Sequence, residues 1–424
     1  MDEFHEWYLE RKGQDSSSIE EIPFCQLDKW HIDEVTGDIC HESGRFFSVV
    51  GVRFALDVGQ SIKTWDQPMV NQPEFGVLGL LSKWGDGERR FLMQAKMEPG
   101  NINVVQLSPT VQATMSNFTR VHSGKKTDYL EYFTEAPSSA ILVDSLQAEQ
   151  GGRFYQKRNR NIVLEIDGDI EVKENYRWVG ERELIGLLRE DNLVNMNNRS
   201  VLSCYLSLGC SQVLPSMNSF ERIISWLTQA KLKISSKRER IPLKEVSQWE
   251  MDKWQIRHSS KKYFSVVALR VNSNSREISS WTQPILKEPR RGFAGFLIKK
   301  FDGIDHYLVS AKIEPGNIDT IAMGPTVQYS YDNFDHSEAL SRIFLNAQPN
   351  KIRYSARLSE EGGRFLNNQN DYMAVEVDEH IDVPENSIWV SYLQILQFIR
   401  YSLLNIEART IIAGVNVGHE LAGH

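Results

Sequence analysis

A lysine, a glutamate and an asparagine recur with the same spacing at two places in the chain. Residues 94–101 read QAKMEPGN and residues 310–317 read SAKIEPGN. Because alternate side chains of a strand share a face, Lys96 lies beside Glu98, and Lys312 beside Glu314, in a strand that ends at Pro-Gly. Such groups could take a proton from carbon, hold an enolate and protonate a leaving hydroxyl. A weak surface ion pair before a turn is the alternative.

The turn itself adds a second polar group in each copy. Asn101 and Asn317 follow Pro-Gly directly. A carboxamide at this position can donate and accept hydrogen bonds, so both residues are candidates for binding a substrate.

These stretches belong to a repeat that covers nearly the whole chain. Its clearest pairs are TWDQP with SWTQP (64–68, 280–284), SPTVQ with GPTVQ (108–112, 324–328), EQGGRF with EEGGRF (149–154, 360–365), and LDKW with MDKW (27–30, 251–254). An internal duplication with its seam near Pro215 explains them and predicts two domains, residues 1–214 and 215–424. The length of 424 residues also favours two domains, because single cores stop growing at roughly 250–300 residues.

Each copy is patterned mostly as strands. FFSVVGVRF, VLGLLSKW, RFLMQAKM and NIVLEI are short, rich in β-branched or aromatic residues, and bounded by turn formers. Helical periodicity appears in residues 181–194 and 391–404, and residues 218–234 read as a helix capped by Asn218 and Glu221. The sequence therefore predicts the α+β class, with a mixed β-sheet and few helices in each domain.

Composition excludes several classes of protein. The formal net charge is −8, which disfavours nucleic acid and anionic membranes as partners. The start has no basic and apolar leader, and no apolar run reaches a membrane span of roughly 20 residues, so a cytoplasmic protein is expected. Four cysteines form no CxxC pair and ten histidines form no HExxH motif, so neither a disulfide framework nor a metal site is expected.

Further repeated residues are candidates for contacts with a ligand. Gln112 and Gln328 could read the edge of a pyrimidine, or they could simply close a turn. Arg153 and Arg364, beside flexible Gly-Gly backbone, could grip a diphosphate in bidentate fashion, or they could be solvated arginines of a hairpin.

Aromatic residues and one loop complete the set of candidates. Trp65 and Trp281 could stack on a base or sugar, although a tryptophan before Gln-Pro is more often a core or rim anchor. After PTVQ the copies differ, and the binding candidates there are Asn117, Arg120 and His122 in the first copy and Asn333 in the second. The sequence leaves open which copy performs the chemistry, or whether both do.

The combination of WDQP, QAKMEPGN, LSPTVQAT and SNFTRVHSGK with SAKIEPGN and GPTVQ resembles the NDP-hexose 2,3-dehydratase family of deoxysugar and antibiotic biosynthesis. The resemblance covers essentially the whole chain. It implies two tandem Nudix-like domains, a homodimer, and action on dTDP-4-keto-6-deoxy-D-glucose without a redox cofactor.

The residues suit the reaction that this resemblance implies. Glu98 or Glu314 would remove the C3 proton, which the 4-keto group acidifies, while a lysine or an amide holds the enolate. The C2 hydroxyl then leaves as water, and the enol tautomerises to a 3,4-diketo-2,6-dideoxy sugar. That labile product implies a separate NADPH-dependent 3-ketoreductase as a functional partner.

Two other classes of function remain alternatives. A non-catalytic nucleotide-sugar-binding protein would need the same contacts but no proton-transfer groups. A Nudix-type diphosphate hydrolase would need the metal-binding Nudix box, and neither copy contains it; the nearest helix, residues 180–191, lacks the Glu-Glu-x-Gly ending.

Overall fold

The computed structural model describes residues 2–59, 61–114, 127–208, 216–276, 278–330 and 338–415, and strands dominate it. We refer to residues 1–214 and 215–424 as the first and second repeat. The first-repeat strands are β1 (Ser18–Ile22), β2 (Trp30–Ile32), β3 (Ile39–His41), β4 (Ser48–Asp57), β5 (Ile62–Asn71), β6 (Gly76–Gly85), β7 (Glu88–Met97), β8 (Val105–Ser108), β9 (Val111–Ala113), β10 (Ile141–Ala148), β11 (Phe154–Tyr155), β12 (Arg158–Glu165) and β13 (Tyr176–Gly180).

The second repeat has the same order of elements, except that Phe365, the counterpart of Phe154 in β11, forms only an isolated bridge to Leu286. Its strands are β14 (Ser235–Ile241), β15 (Trp249–Met251), β16 (Gln255–His258), β17 (Ser265–Asn272), β18 (Ser280–Lys287), β19 (Gly292–Phe301), β20 (Ile304–Ile313), β21 (Ile321–Gly324), β22 (Val327–Ser330), β23 (Ile352–Ser359), β24 (Gln369–Glu376) and β25 (Ser387–Ser391). The α-helices of the described residues are α1 (Glu3–Gln14), α2 (Leu130–Thr134), α3 (Glu181–Leu187), α4 (Met196–Tyr205), α5 (Phe220–Leu232), α6 (Ala339–Leu345), α7 (Tyr392–Arg400) and α8 (Ile406–Val415).

Each repeat forms one seven-stranded mixed sheet. The first sheet runs β10-β12-β6-β7-β13, with β8 on β7 and β9 on β6; the second runs β23-β24-β19-β20-β25, with β21 on β20 and β22 on β19. The central pairs β12 with β6 and β24 with β19 are parallel, and their neighbours are antiparallel. The predicted α+β class, with mixed sheets and few helices, is confirmed.

A second pair of sheets joins the repeats by exchanging strands. Strand β14 of the second repeat lies antiparallel to β4 of the first, and β1 of the first lies antiparallel to β17 of the second. Each exchanged strand follows the first helix of its own repeat, α1 or α5. The two repeats are therefore intertwined in space, while the predicted boundary itself falls in residues 209–215, which lie outside the described part of the chain.

The Pro-Gly turn of each repeat docks on the Gly-Gly loop of the other. Gly100 N donates to Gly362 O, and Asn367 N donates to Gly100 O, both at 2.7 Å. The same two bonds recur as Gly316 N to Gly151 O and Gln156 N to Gly316 O, again at 2.7 Å. These reciprocal backbone bonds bring EPGN of one repeat against GGRF of the other.

Two helices that are almost entirely buried, α4 and α8, connect the two repeats. Every residue of α4 is buried, as is every residue of α8 except the half-buried Glu407, and the two helices pack on each other. Arg199 in α4 donates to Val194 O at 2.5 Å and to Ser359 O of the second repeat at 2.7 Å. Arg409 in α8 donates to Leu404 O at 2.9 Å and to Ala148 O of the first repeat at 3.0 Å. Backbone oxygens of both repeats thus accept hydrogen bonds from the terminal nitrogens of these buried cations, while the two Nε atoms have no partner among the described residues.

Two expectations about local pairing and capping were wrong. The counterpart of Trp30 is Trp249 and not Trp254, because each indole N–H donates to a backbone oxygen of the other repeat at 2.9 Å. The identical letters of DKW are therefore out of register. Helix α5 is capped by Ser219, whose side chain accepts from Arg222 N, while the amide of Asn218 donates to Trp389 O.

Within the described ranges, no helix is long and apolar enough to cross a membrane.

Replacing Gly100 by alanine tests the docking of the turn. A methyl group there would lie 2.7 Å from Gly362 O and still closer to Phe365 O, so the turn must move away from the loop. We expect Gly100→Ala to lower the free energy of unfolding by about 1–3 kcal/mol, measured by urea denaturation. Gly152→Ala is the control, because a methyl there meets no atom within 4 Å. Equal midpoints for the two variants would show that the docking contributes nothing to stability.

Candidate active site

A cavity of about 290 Å³ lies where motifs from both repeats meet. The first repeat contributes Lys96, Glu98 and Gln112 to its lining, and the second contributes Trp281 and Arg364. The exchange between Pro-Gly turns and Gly-Gly loops brings these residues together, although they are far apart in the chain.

The carboxylate of Glu98 is held by two amides. Gln112 Nε2 donates to Glu98 Oε1 at 2.7 Å, and Asn195 Nδ2 lies 3.4 Å from Glu98 Oε2. Asn195 is the N-cap of α4, and its own Oδ1 accepts from Asn198 N at 2.9 Å. The position of the buried helix therefore determines the orientation of the carboxylate.

The second repeat builds an equivalent cluster from Glu314, Gln328 and Asn405. Asn405 Nδ2 donates to Glu314 Oε1 at 3.1 Å and to Gln328 Oε1 at 2.8 Å. Lys312 Nζ donates to the backbone oxygen of Gln328 at 2.9 Å. The loop of the first repeat covers this cluster, since a methyl at Gly151 would lie 2.8 Å from Glu314 Oε2.

The tryptophans that recur in the two repeats help to position the Gly-Gly loops. Trp281 Nε1 donates to Gln283 Oε1 at 2.9 Å, and Gln283 Nε2 donates to Gly363 O at 2.9 Å. Trp65 and Gln67 make the same bonds to Gly152 O, at 3.1 and 2.8 Å. The W-x-Q-P motif thus orients the loop that carries the arginine, and only Trp281 of the pair lines the cavity of about 290 Å³.

The two loop arginines differ in how their charge is balanced. Arg364 lies over Phe47, 4.1 Å from the ring centre, and donates to the neutral Gln72 Oε1 at 3.2 Å. Arg153 lies over Phe264 at 4.2 Å, but it donates to the carboxylate of Glu288 at 2.6 Å. Gln72 and Glu288 occupy equivalent positions four residues after Pro68 and Pro284. Arg364, at the cavity, therefore donates to an amide, whereas the equivalent Arg153 donates to a carboxylate.

Basic side chains outnumber acidic ones around the cavity. Its charged lining comprises Lys29, Lys96, Lys157, Arg276 and Arg364 against Asp28, Glu98 and Glu361. Burial lowers the pKa of Lys157 to about 8, and its ammonium group donates to Glu74 O. The equivalent residue of the second repeat is the neutral Asn368. The cavity is thus suited to an anionic ligand.

The second cluster contains a carboxyl group that the first lacks. Glu407 follows Asn405 by two residues, and Asn197 holds the same position after Asn195. Burial, with Glu314 and Glu360 nearby, raises the pKa of Glu407 to about 8, and burial also raises the pKa of Glu314. The second cluster therefore binds a proton at neutral pH.

The structure separates the predicted site residues into three groups. Those that line the cavity are Lys96, Glu98, Gln112, Trp281 and Arg364; those around the second cluster or its covering loop are Trp65, Arg153, Lys312, Glu314 and Gln328. Asn101 and Asn317 are buried in the turns, where Asn101 lies against Gly362. Asn117, Arg120, His122 and Asn333 lie outside the described residues.

Sequence reasoning missed Asn195, Asn405, Lys157 and Glu361. The two asparagines had a visible signal, because NMNNR (195–199) and NIEAR (405–409) share Asn and Arg at the same spacing. Lys157 and Glu361 had none, since their counterparts in the other repeat are Asn368 and Gln150.

Comparison with known proteins identifies the family of this chain. A family model for NDP-hexose 2,3-dehydratase matches residues 1–205 and again residues 220–415. The fold and the site thus define an enzyme of the dehydratase class, a hydro-lyase built from two repeats. The chain belongs to the NDP-hexose 2,3-dehydratase family.

Two relatives are similar to this chain along most of their length. A dTDP-4-dehydro-6-deoxy-α-D-glucopyranose 2,3-dehydratase of Amycolatopsis orientalis is 40% identical over 421 residues, covering 97% of this chain and 89% of the relative. An enzyme of the same name from Streptomyces violaceoruber is 40% identical over 426 residues, covering 97% and 96%. Among solved structures, an ADP compounds hydrolase shares 13% identity over 32% of this chain and 75% of its own, with a TM-score of 0.21, too low to describe the fold.

Neutralising Glu407 tests the proton held in the second cluster. Glu407 has a folded-state pKa of about 8 against an ordinary value of 4.5, so between these limits the folded chain holds a proton that the unfolded chain releases. The free energy of unfolding therefore falls as pH rises through this window. We expect Glu407→Gln to flatten that fall, measured by urea denaturation from pH 5 to pH 8.

The exposed Glu183→Gln serves as the control for this experiment and should keep the parent slope. A Glu407→Gln variant with the slope of the parent would contradict the assignment of the proton.

Proposed function

We propose that this chain is a dTDP-4-dehydro-6-deoxyglucose 2,3-dehydratase that works at the cavity around Glu98. The observation that carries the proposal is a buried carboxylate, oriented by Gln112 and Asn195, in a cavity that also holds Lys96 and Arg364. Within the described part of the chain, the guanidinium of Arg364 donates to the amide of Gln72 and to no carboxylate. These are the groups needed for proton removal next to a ketone in an anionic nucleotide sugar.

The chemistry begins with proton transfer from carbon to the carboxylate. Glu98 takes the C3 proton, and the bonding electrons move towards the C4 carbonyl to form an enolate. Lys96, on the same face of β7, stabilises the negative oxygen. The electrons return to form a C2–C3 double bond as the C2–O bond breaks and water leaves. The resulting enol tautomerises to the 3,4-diketo-2,6-dideoxy product, so no net oxidation is required.

In this proposal, the cationic side of the cavity binds the diphosphate of the nucleotide sugar. Arg364 presents a planar set of donors that suits phosphate oxygens, and Lys29 and Lys157 add positive charge. Trp281 offers an aromatic face for the base or the sugar. Gln112, whose amide is bonded to Glu98, acts in this proposal by orienting the carboxylate rather than by reading a base.

The second cluster differs in the charges around it. Glu288 compensates the charge of Arg153, and Glu407 adds a carboxyl group near Glu314. Burial raises the pKa of Glu314, and burial with Glu314 and Glu360 nearby raises the pKa of Glu407 to about 8. We therefore assign the chemistry to the cavity at Glu98, although the same motifs occur twice.

We further propose that the protein acts as a homodimer in the cytoplasm and passes its labile product to an NADPH-dependent 3-ketoreductase. This part of the proposal rests on the family to which the chain belongs.

The activity is tested directly with the nucleotide sugar. Purified protein is mixed with dTDP-4-keto-6-deoxyglucose in EDTA, the product is trapped by a 3-ketoreductase with NADPH, and proton NMR is recorded. We expect C2 methylene signals with the diphosphate intact. Release of a nucleoside monophosphate would instead identify a hydrolase, and bound but unchanged substrate would identify a binding protein.

The assignment of the base is tested by matched variants in the same assay. Glu98→Gln should lower kcat by about 10²–10⁴-fold, because it removes the group that accepts the C3 proton. Glu314→Gln changes the equivalent residue and should keep most of the activity. Unfolding midpoints and dTDP affinity are measured for both. Loss of activity in Glu314→Gln alone would move the chemistry to the second cluster.

The role of Arg364 is tested by exchanging the residue that accepts its side-chain hydrogen bond. Gln72→Glu places a carboxylate beside Arg364, as Glu288 lies beside Arg153. We expect the Kd for dTDP, measured by calorimetry, to rise about tenfold or more, because a charge-assisted bond to phosphate is lost. The reverse exchange, Glu288→Gln, is the control and should leave the Kd at this cavity unchanged. Unchanged affinity in Gln72→Glu would mean that Arg364 does not hold the diphosphate.

A further inference from the structure

A second carboxyl group reaches the cavity from the other repeat. Glu361 belongs to the loop EEGGRF between β23 and β24, and its side chain lines the cavity. The equivalent residue of the first repeat is Gln150, a buried amide that donates to Met196 Sδ at 2.9 Å and to Glu360 Oε2. One position in the repeat thus carries a structural amide in one copy and an acid facing the cavity in the other.

Glu361 and Glu98 flank one glycine. A methyl group at Gly363 would lie 3.6 Å from Glu361 Oε1 and 4.0 Å from Glu98 Oε1. Because Gly363 has no side chain, the space between the two carboxyl groups stays open to a ligand. A sugar ring held there would have one carboxyl group from each repeat beside it.

The surroundings of Glu361 keep it able to hold a proton. No hydrogen bond from another described residue reaches its carboxyl group, and the charged groups that face it are Glu98, Glu149, Lys157 and Arg364. Burial raises the pKa of Glu361 to about 7; Arg364 and Lys157 oppose this effect, while Glu149 and Glu98 add to it. Both protonation states are therefore populated near neutral pH, as an acid catalyst requires.

We propose that Glu361 is a catalytic residue, the general acid that protonates the C2 hydroxyl as it leaves, so that each elimination uses one carboxyl group from each repeat. The inference rests on the proposed function and names a second group for the same cavity. Lys157 is a weaker candidate for the acid, because its ammonium group is bonded to Glu74 O.

The proposed step balances in protons and electrons. Glu98 receives the C3 proton, the electron pair of the C3–H bond forms the C2–C3 double bond through the enolate, and the C2–O bond breaks. The proton of Glu361 goes to the departing oxygen, which leaves as water, and Glu361 becomes a carboxylate. Glu361 then accepts the proton of the C3 hydroxyl of the enol, while Glu98 returns its proton to C2. Both side chains regain their starting states and the product carries the 3-keto group.

The test separates proton removal from loss of water. Wild-type protein and Glu361→Gln are incubated with dTDP-4-keto-6-deoxyglucose in D₂O, and NMR follows both deuterium at C3 and the formation of the C2 methylene. We expect Glu361→Gln to exchange the C3 proton but to lose water about 10²-fold or more slowly. The fall of wild-type kcat above pH 7 should be absent from the variant. Glu361→Asp should recover part of the activity, since it restores a carboxyl group.

The outcomes distinguish this inference from the proposed function. If wild-type protein forms no C2 methylene, the proposed function fails and this inference fails with it. If wild-type protein is active and Glu361→Gln loses water at the wild-type rate, only the inference is wrong. Equal loss of exchange and elimination, with unchanged dTDP affinity and unfolding midpoint, would also overturn it, because an acid for the C2 oxygen is not needed to remove the C3 proton.

A second variant tests the geometry without changing either carboxyl group. In Gly363→Ala the added methyl makes ordinary contacts with both carboxyl groups, so the chain should fold while the space between them is filled. We expect kcat to fall at least about tenfold. Gly152→Ala, the equivalent change in the other repeat, adds a methyl with no atom within 4 Å and should keep wild-type kcat. Equal kcat in the two variants would overturn the placement of the reacting sugar between Glu98 and Glu361.

Discussion

The reciprocal bonds between each Pro-Gly turn and the Gly-Gly loop of the other repeat are the constraint on which the site depends. Gly100 and Gly362 meet through backbone atoms at 2.7 Å, and Gly316 meets Gly151 at the same distance. Only glycine permits this approach, because a Cβ at Gly100 would collide with backbone oxygens. The contact places the carboxylate that follows β7 against the loop that carries an arginine and an acid. A cavity with groups from both repeats follows directly from that docking.

The two repeats share the same backbone arrangement, but a few side chains give them different charge and proton binding. Gln72 against Glu288 decides whether the loop arginine faces an amide or a carboxylate. Asn197 against Glu407 decides whether the buried glutamate has a second carboxyl group beside it. These exchanges change charge and proton binding but leave the backbone bonds of the turns in place. The duplication therefore keeps two copies of the supporting structure, while in the described part of the chain the charges beside the two loop arginines differ.

The sequence predicted the strands more completely than the helices. Strands such as β4, β6 and β7 have β-branched runs between turn residues, so their existence followed from the pattern alone. Helices α4 and α8 were missed, because all of their residues except the half-buried Glu407 are buried, and a helix without an exposed face shows no 3.6-residue alternation. Their N-caps, Asn195 and Asn405, were missed with them, although both orient the glutamates of the two clusters.

The sequence by itself determined that the chain is a duplicated α+β protein and that Lys, Glu, Gln and Arg recur in motifs suited to proton transfer and anion binding. Repetition and local periodicity carry that information, because both can be read along the chain. Only the tertiary structure decided that Glu98 of one repeat meets Arg364 and Glu361 of the other. Contacts between residues so far apart arise from docking of backbone loops and from strand exchange. Neither produces a periodic pattern of residues along the sequence. The protonation of Glu361 was likewise beyond the sequence, since burial and the neighbouring charges set it.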